Sequence, residues 1–83
     1  MARLLYFANL RERAGVAEEE VSLPAHVRTG RDLLAWLKER HPALADLLAM
    51  PSLKLAIDQE LKPMSALLGS AREIALFPPM TGG

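Results

Sequence analysis

The chain has 83 residues, 51% of them hydrophobic, and its ten Lys and Arg are balanced by ten Asp and Glu. One small domain with a single core is therefore expected, disorder is excluded, and no net field recruits nucleic acid or an anionic membrane surface. The sequence contains no cysteine, which excludes disulfides, thiolate zinc sites and Cys nucleophiles, so any sulfur chemistry must use a group other than a thiol.

Leu and Ala supply most of the apolar residues while Val and Ile together number five. Punctuation rather than propensity has to separate strand from helix. Arg3 to Ala8 is a short, almost continuously apolar run and reads as a central strand buried on both faces. Leu10 to Ala14, with Gly15 in a C-cap position, reads as one or two helical turns. Glu19 to Leu23 alternates, with Val21 and Leu23 on one face and Glu20 and Ser22 on the other, until Pro24 stops a half-exposed second strand.

Thr29 with Asp32 three residues later reads as an N-cap with an acidic first turn, and Leu33, Leu34 and Leu37 follow at helical spacing. This is the main helix. His41-Pro42 interrupts it, because the residue before proline disfavours helical dihedrals, and Leu44, Leu47 and Leu48 resume as a second short helix. Leu53, Leu55 and Ile57 alternate with Lys54, Ala56 and Asp58 as a third strand. Asp58-Gln59-Glu60 turns the chain into a short strand at Leu61, limited by Pro63. After Leu67, Leu68 and a Gly69-Ser70 turn, Glu73 to Phe77 forms the last strand, ended by Pro78-Pro79.

This order is α+β, and a β-grasp is its natural architecture: a mixed sheet covered on one face by one principal helix plus short helices. The first and last strands are expected as central parallel neighbours. Residues 1–79 form the domain, followed by a flexible tail, 80–83. The opening Met1 to Phe7 lacks a signal-peptide layout, and no stretch approaches the roughly 18 apolar residues of a membrane span, so the chain is expected to stay in the cytoplasm.

No self-contained active site is visible. His26 and His41 lie in loop-like positions without ligand-spaced partners and read as exposed loop residues, and no metal is expected. Ser22, Ser52, Ser65 and Ser70 sit in no Gly-x-Ser-x-Gly context, and there is no phosphate-cradling loop. Trp36 reads as helix packing. What remains is the carboxyl terminus. Gly averages about 7% of residues, so a terminal Gly-Gly pair arises by chance in only about 0.5% of chains. Phe77-Pro78-Pro79 projects the chain as a stiff segment, and the four residues beyond Pro79 reach about 13 Å, enough to thread a narrow pocket of another protein. Glycine suits such a pocket because it lacks a Cβ.

Three separated segments carry a resemblance: Leu5-Tyr6-Phe7-Ala8-Asn9-Leu10-Arg11-Glu12, Ala56-Ile57-Asp58-Gln59-Glu60, and the end Phe77-Pro78-Pro79-Met80-Thr81-Gly82-Gly83. Together they resemble the MoaD family, the small subunits of molybdopterin synthase. The pattern departs from the family's at Asp58, where Asn is commoner, and at Gly69 to Glu73, where an Asp-Gly turn is usual. The resemblance implies a sulfur carrier whose Gly83 carboxylate, approached along Gly82, is adenylated with ATP by an enzyme resembling the ubiquitin-activating enzymes. A sulfur donor protein then converts it to a thiocarboxylate. The chain itself binds no cofactor. Its partner would be the large subunit, in a heterotetramer, which supplies the catalytic side chains while sulfur passes to cyclic pyranopterin monophosphate. By the same resemblance Phe7, Leu61 and Phe77 are apolar contacts to that subunit, Arg11 pairs with an acidic partner surface, and Pro78, Pro79, Met80 and Thr81 lead the tail into it. A ubiquitin-like protein modifier, or a carrier serving thiamine or tRNA thiolation, remains the alternative.

Overall fold

The computed structural model describes residues 1–78. In chain order the elements are β1 (Ala2–Tyr6), α1 (Ala8–Ala14), β2 (Glu18–Val21), α2 (Gly30–Arg40), a 3-10 turn (Pro42–Leu44), α3 (Ala45–Leu48), β3 (Lys54–Ile57), β4 (Glu60–Lys62) and β5 (Glu73–Phe77). The five strands form one sheet in the order β2-β1-β5-β3-β4. β1 and β5 are parallel central neighbours, and every other pair is antiparallel. This is the β-grasp arrangement.

The main helix begins where the sequence places its cap. Thr29 Oγ1 accepts from the Asp32 amide at 3.2 Å, and Asp32 Oδ2 accepts from the amides of Thr29 and Arg28 at 3.1 Å each. Those backbone donors hold the Asp32 carboxyl below the usual carboxylate range. The helix ends at His41, whose backbone (φ −129°, ψ 79°) leaves the helical region that a following proline disfavours. Leu33 and Leu37 point from α2 into the core, where Leu4, Tyr6, Leu55, Ile74 and Leu76 meet them from one face of the sheet. Each fully buried leucine contributes roughly 1.5 to 3 kcal/mol, and truncating Leu33 or Leu37 to Ala would cost about 2 to 5 kcal/mol.

Several element boundaries differ from the sequence reading. β1 ends at Tyr6, because Phe7 caps α1 and Ala8 takes a left-handed backbone (φ 53°) that breaks the strand. It is also covered on one face only: Arg3 is exposed and Leu5 half-buried, since the helices lie on the other face. β2 stops at Val21, short of the expected Leu23. The β3–β4 turn consists of Asp58 and Gln59 alone, both at positive φ (48° and 73°), so Glu60 already belongs to β4. Asp58 Oδ1 accepts from the amides of Arg72 and Glu73 at 3.0 Å each. An asparagine side-chain oxygen at this left-handed position can accept the same bonds.

His41 is not an exposed loop residue. Its Nε2 donates to Glu19 Oε2 at 2.7 Å, and its ring meets Tyr6 edge to face at 6.0 Å. Alternation along β2 puts Glu19 on the same side as Val21, facing the helices rather than solvent. His26 is exposed. Trp36 packs against the core and carries the Arg40 guanidinium over its ring at 5.2 Å.

Candidate functional site

The helices leave the second face of the sheet open, and strand register writes its composition. Opposed residues line up in rows. One row reads Leu5, Ala75, Ala56, Leu61 across β1, β5, β3 and β4. The next begins with Phe7, whose extended backbone (φ −116°, ψ 155°) keeps it in the alternation of β1, and continues through Phe77 to Lys54. On the far side Arg3 stands between Glu20 and Glu73. The face is thus mainly apolar at the end where β5 finishes, with Lys54 at its margin, and charged at the other.

Local geometry explains why the aromatic residues meet. Parallel pairing of Tyr6 with Leu76 carries β1 and β5 out of the sheet together, and the Phe7 amide still donates to the Leu76 carbonyl at 3.3 Å. The rings of Phe7 and Phe77 then pack edge to face, with centroids 6.0 Å apart. Ala56 and Ala75 form a shallow floor between larger side chains. Phe7 is 47% exposed and Leu61 68%. Core packing therefore does not account for either residue, and their exposed apolar surface, at the two ends of a floor made by the buried Ala56 and Ala75, makes this a candidate interaction face.

Among the residues singled out by sequence, Phe7, Phe77 and Leu61 share this face, with Pro78 half-buried directly after Phe77. Arg11 is exposed in α1, one turn beyond Phe7. Pro79, Met80, Thr81, Gly82 and Gly83 lie outside the described residues. Lys54, opposite Phe77, had drawn no attention in the sequence, although its place one register step from β5 follows once β3 and β5 are paired.

A second polar cluster sits behind the sheet. Glu19 accepts from the Tyr6 hydroxyl (2.8 Å), His41 Nε2 (2.7 Å) and Arg40 Nε (3.0 Å). Burial alone would raise the Glu19 pKa, but the hydrogen bonds outweigh it and hold the carboxyl below its ordinary range. Burial, then the neighbouring carboxylate, push the Tyr6 hydroxyl upward. Among the described residues no buried side-chain polar atom lacks a hydrogen-bond partner, and the cluster pins β1 and β2 to the end of α2. Among the described residues no three His, Cys, Asp or Glu gather to hold a metal, and no helix is long and apolar enough to cross a membrane.

The family model described as ThiS family matches residues 4–83. The chain belongs to the ThiS family. Over 83 residues it is 39% identical to the molybdopterin synthase sulfur carrier subunit of Chlamydomonas reinhardtii, covering 98% of this chain and 96% of that one. Among solved structures, the putative molybdopterin converting factor subunit 1 of Pyrococcus furiosus superposes with a TM-score of 0.78 at 28% identity, covering 95% and 97% of the two chains. The small archaeal modifier protein 1 of Methanosarcina acetivorans gives 0.76 at 26% identity, covering 99% and 95%. The family match and these superpositions agree with the β-grasp fold described above.

Proposed function

We propose that this chain is the sulfur-carrier subunit of a molybdopterin synthase, with sulfur carried on the carboxyl group of Gly83. The observation that carries the reading is the position of Phe77. It ends the last strand inside the exposed apolar face, six residues before Gly83 in sequence. A partner that covers this face therefore receives the Gly-Gly ending at short range.

The chemistry fits a chain without thiols. A carboxylate is a poor acyl electrophile. Attack of its oxygen on the α-phosphorus of ATP, in an activating enzyme of the ubiquitin-activating type, expels pyrophosphate and leaves an acyl adenylate. Hydrosulfide supplied by a sulfur donor protein then attacks the acyl carbon, the C–O bond to AMP breaks, AMP leaves, and a thiocarboxylate remains. The large subunit covers Phe7, Phe77 and Leu61, with Arg11 and Lys54 at the margin facing its acidic groups, while Pro78 to Thr81 lead Gly82 and Gly83 inward. Its side chains catalyse sulfur transfer to cyclic pyranopterin monophosphate, and two such deliveries complete the dithiolene. This chain holds no cofactor of its own.

A reconstituted assay with activating enzyme, ATP, sulfur donor and large subunit tests the reading through two variants. One residue added after Gly83 moves the carboxylate about 3.5 Å, and Gly82→Val places a branched side chain on the approach. Displacement of a reacting centre by about 1 Å costs roughly a hundredfold in rate, so dithiolene formation should collapse in both. Turnover by the untrimmed extended chain would overturn the proposal. The resemblance to an archaeal modifier protein supports a second reading, attachment of Gly83 to lysines of other proteins. Lysine-linked conjugates in the native cell would favour it.

A further inference from the structure

The two outer strands of the sheet are built differently. β2 presents Glu18, Glu19 and Glu20 in succession, and an antiparallel copy of itself would set carboxylates against carboxylates. That edge is protected against self-pairing. β4 carries no such like-charge run, and its three-residue length with Pro63 behind it limits pairing to a short ladder rather than forbidding it. It consists of Glu60, Leu61 and Lys62, all exposed, and no described strand covers its outer side.

The direction of its free backbone groups follows from the hairpin. Asp58 and Gln59 form a two-residue turn with both φ positive, so Ile57 and Glu60 exchange hydrogen bonds and the next pair, Ala56 and Leu61, does not. The bond from the Asp58 amide to the Glu73 carbonyl, 2.8 Å, fixes the same phase from the other side of β3. Leu61 therefore turns both its N–H and its C=O to the open edge.

From this we infer that two copies of the chain associate through antiparallel pairing of β4 with β4, centred on Leu61. In that register the two Leu61 residues exchange both N–H···O=C bonds. Glu60 of each copy then stands opposite Lys62 of the other, and the two ion pairs are related by the two-fold axis. The intrastrand contact of Lys62 Nζ with Glu60 Oε2, 3.3 Å, places both charges on the same side, ready for the exchange. The row Leu5, Ala75, Ala56, Leu61 continues through the second Leu61 into its copy. Pro63 has no N–H and ends the ladder after three residue pairs, so the association is weak and concentration-dependent. It stands independently of the sulfur-carrier reading.

Sedimentation and backbone amide spectra of the full chain, recorded from about 20 μM to about 1 mM, test the pairing. Exposed Lys62→Glu and Glu60→Lys each turn two attractions into two repulsions, and should weaken dimerisation at least about tenfold without changing the melting temperature. The double variant with both changes should recover it, and an equimolar mixture of the two single variants should associate although neither does alone. The Leu61 amide should shift and gain exchange protection with concentration. A monomer at every concentration, association indifferent to the charge swaps, or Leu61 protection that requires the large subunit would each overturn the inference.

Discussion

Phe7 and Phe77 stand edge to face, centroids 6.0 Å apart and planes at 88°, although they come from opposite ends of the described chain. The parallel register of Tyr6 with Leu76 delivers them there. Their contact joins the start of α1 to the end of β5, so the surface offered to a partner is one preformed patch rather than two separate side chains.

Truncating either ring tests the patch. Phe77→Ala and Phe7→Ala should each weaken binding of the large subunit by about 2 kcal/mol or more if they are central anchors, while Phe7→Ala, at an exposed site, should change stability little. The double variant should fall short of the sum, because loss of one ring also frees the other from the edge-to-face contact that positions it for the partner. Titration calorimetry on variants whose folding has been verified by circular dichroism gives the values. Unchanged affinity in both would place the interface elsewhere.

Glu19 should control acid stability. Its folded pKa lies below its ordinary value, so the unfolded chain takes up the proton first as pH falls. The stabilisation is complete above about pH 4.3 and is lost as pH drops through the folded pKa. Glu19→Gln should cost about 1 to 3 kcal/mol at neutral pH and lose less on acidification than the parent chain. Urea midpoints at about pH 7 and about pH 3 make the comparison. Equal midpoints at neutral pH would show that the carboxylate's charge contributes nothing net beyond what a neutral acceptor supplies.

Gly30 should resist replacement despite its helical position. Ala is ordinarily favoured over Gly inside a helix by about 1 kcal/mol. Here an added Cβ would lie 2.6 Å from Leu55 Cδ2 and 3.0 Å from the Met64 carbonyl oxygen. The loop cannot retreat freely, because the amides of Gly30 and Arg31 donate to Ala66 and Met64. Gly30→Ala should destabilise by about 1 to 3 kcal/mol in thermal or urea unfolding. A stabilised variant would show that the loop yields at little cost.

Much of this architecture was legible because its signals are local. The Thr29 cap with Asp32, the proline after His41, Gly15 and the alternation from Leu53 to Ile57 each act within a few residues. The central parallel pair followed from the two most apolar runs. The end of β1 was not legible, since an apolar run hides the backbone change at Ala8. Nor was the role of His41, whose partners Glu19 and Tyr6 arrive from β2 and β1. Carrying the alternation of Val21 and Leu23 one step back would have set Glu19 on their face, the one clue that its carboxylate faces inward. Phe7, Leu61 and Phe77 could be named from a resemblance, but their common face depends on strand register. The part of the site at Pro79 to Gly83 lies outside the described residues and rests on the sequence.

Sulfur on the carboxyl group of Gly83 is what sets a carrier apart from a modifier or a plain interaction module. Intact mass spectrometry of the chain purified from its native cell under non-reducing, neutral conditions reads this directly. A species heavier by one oxygen exchanged for one sulfur, localised to Gly83 by fragmentation and lost when the activating enzyme is deleted, is the predicted result. A terminus found only as the free carboxylate while the cell is making molybdopterin, or found only in linkage to lysines of other proteins, would contradict it.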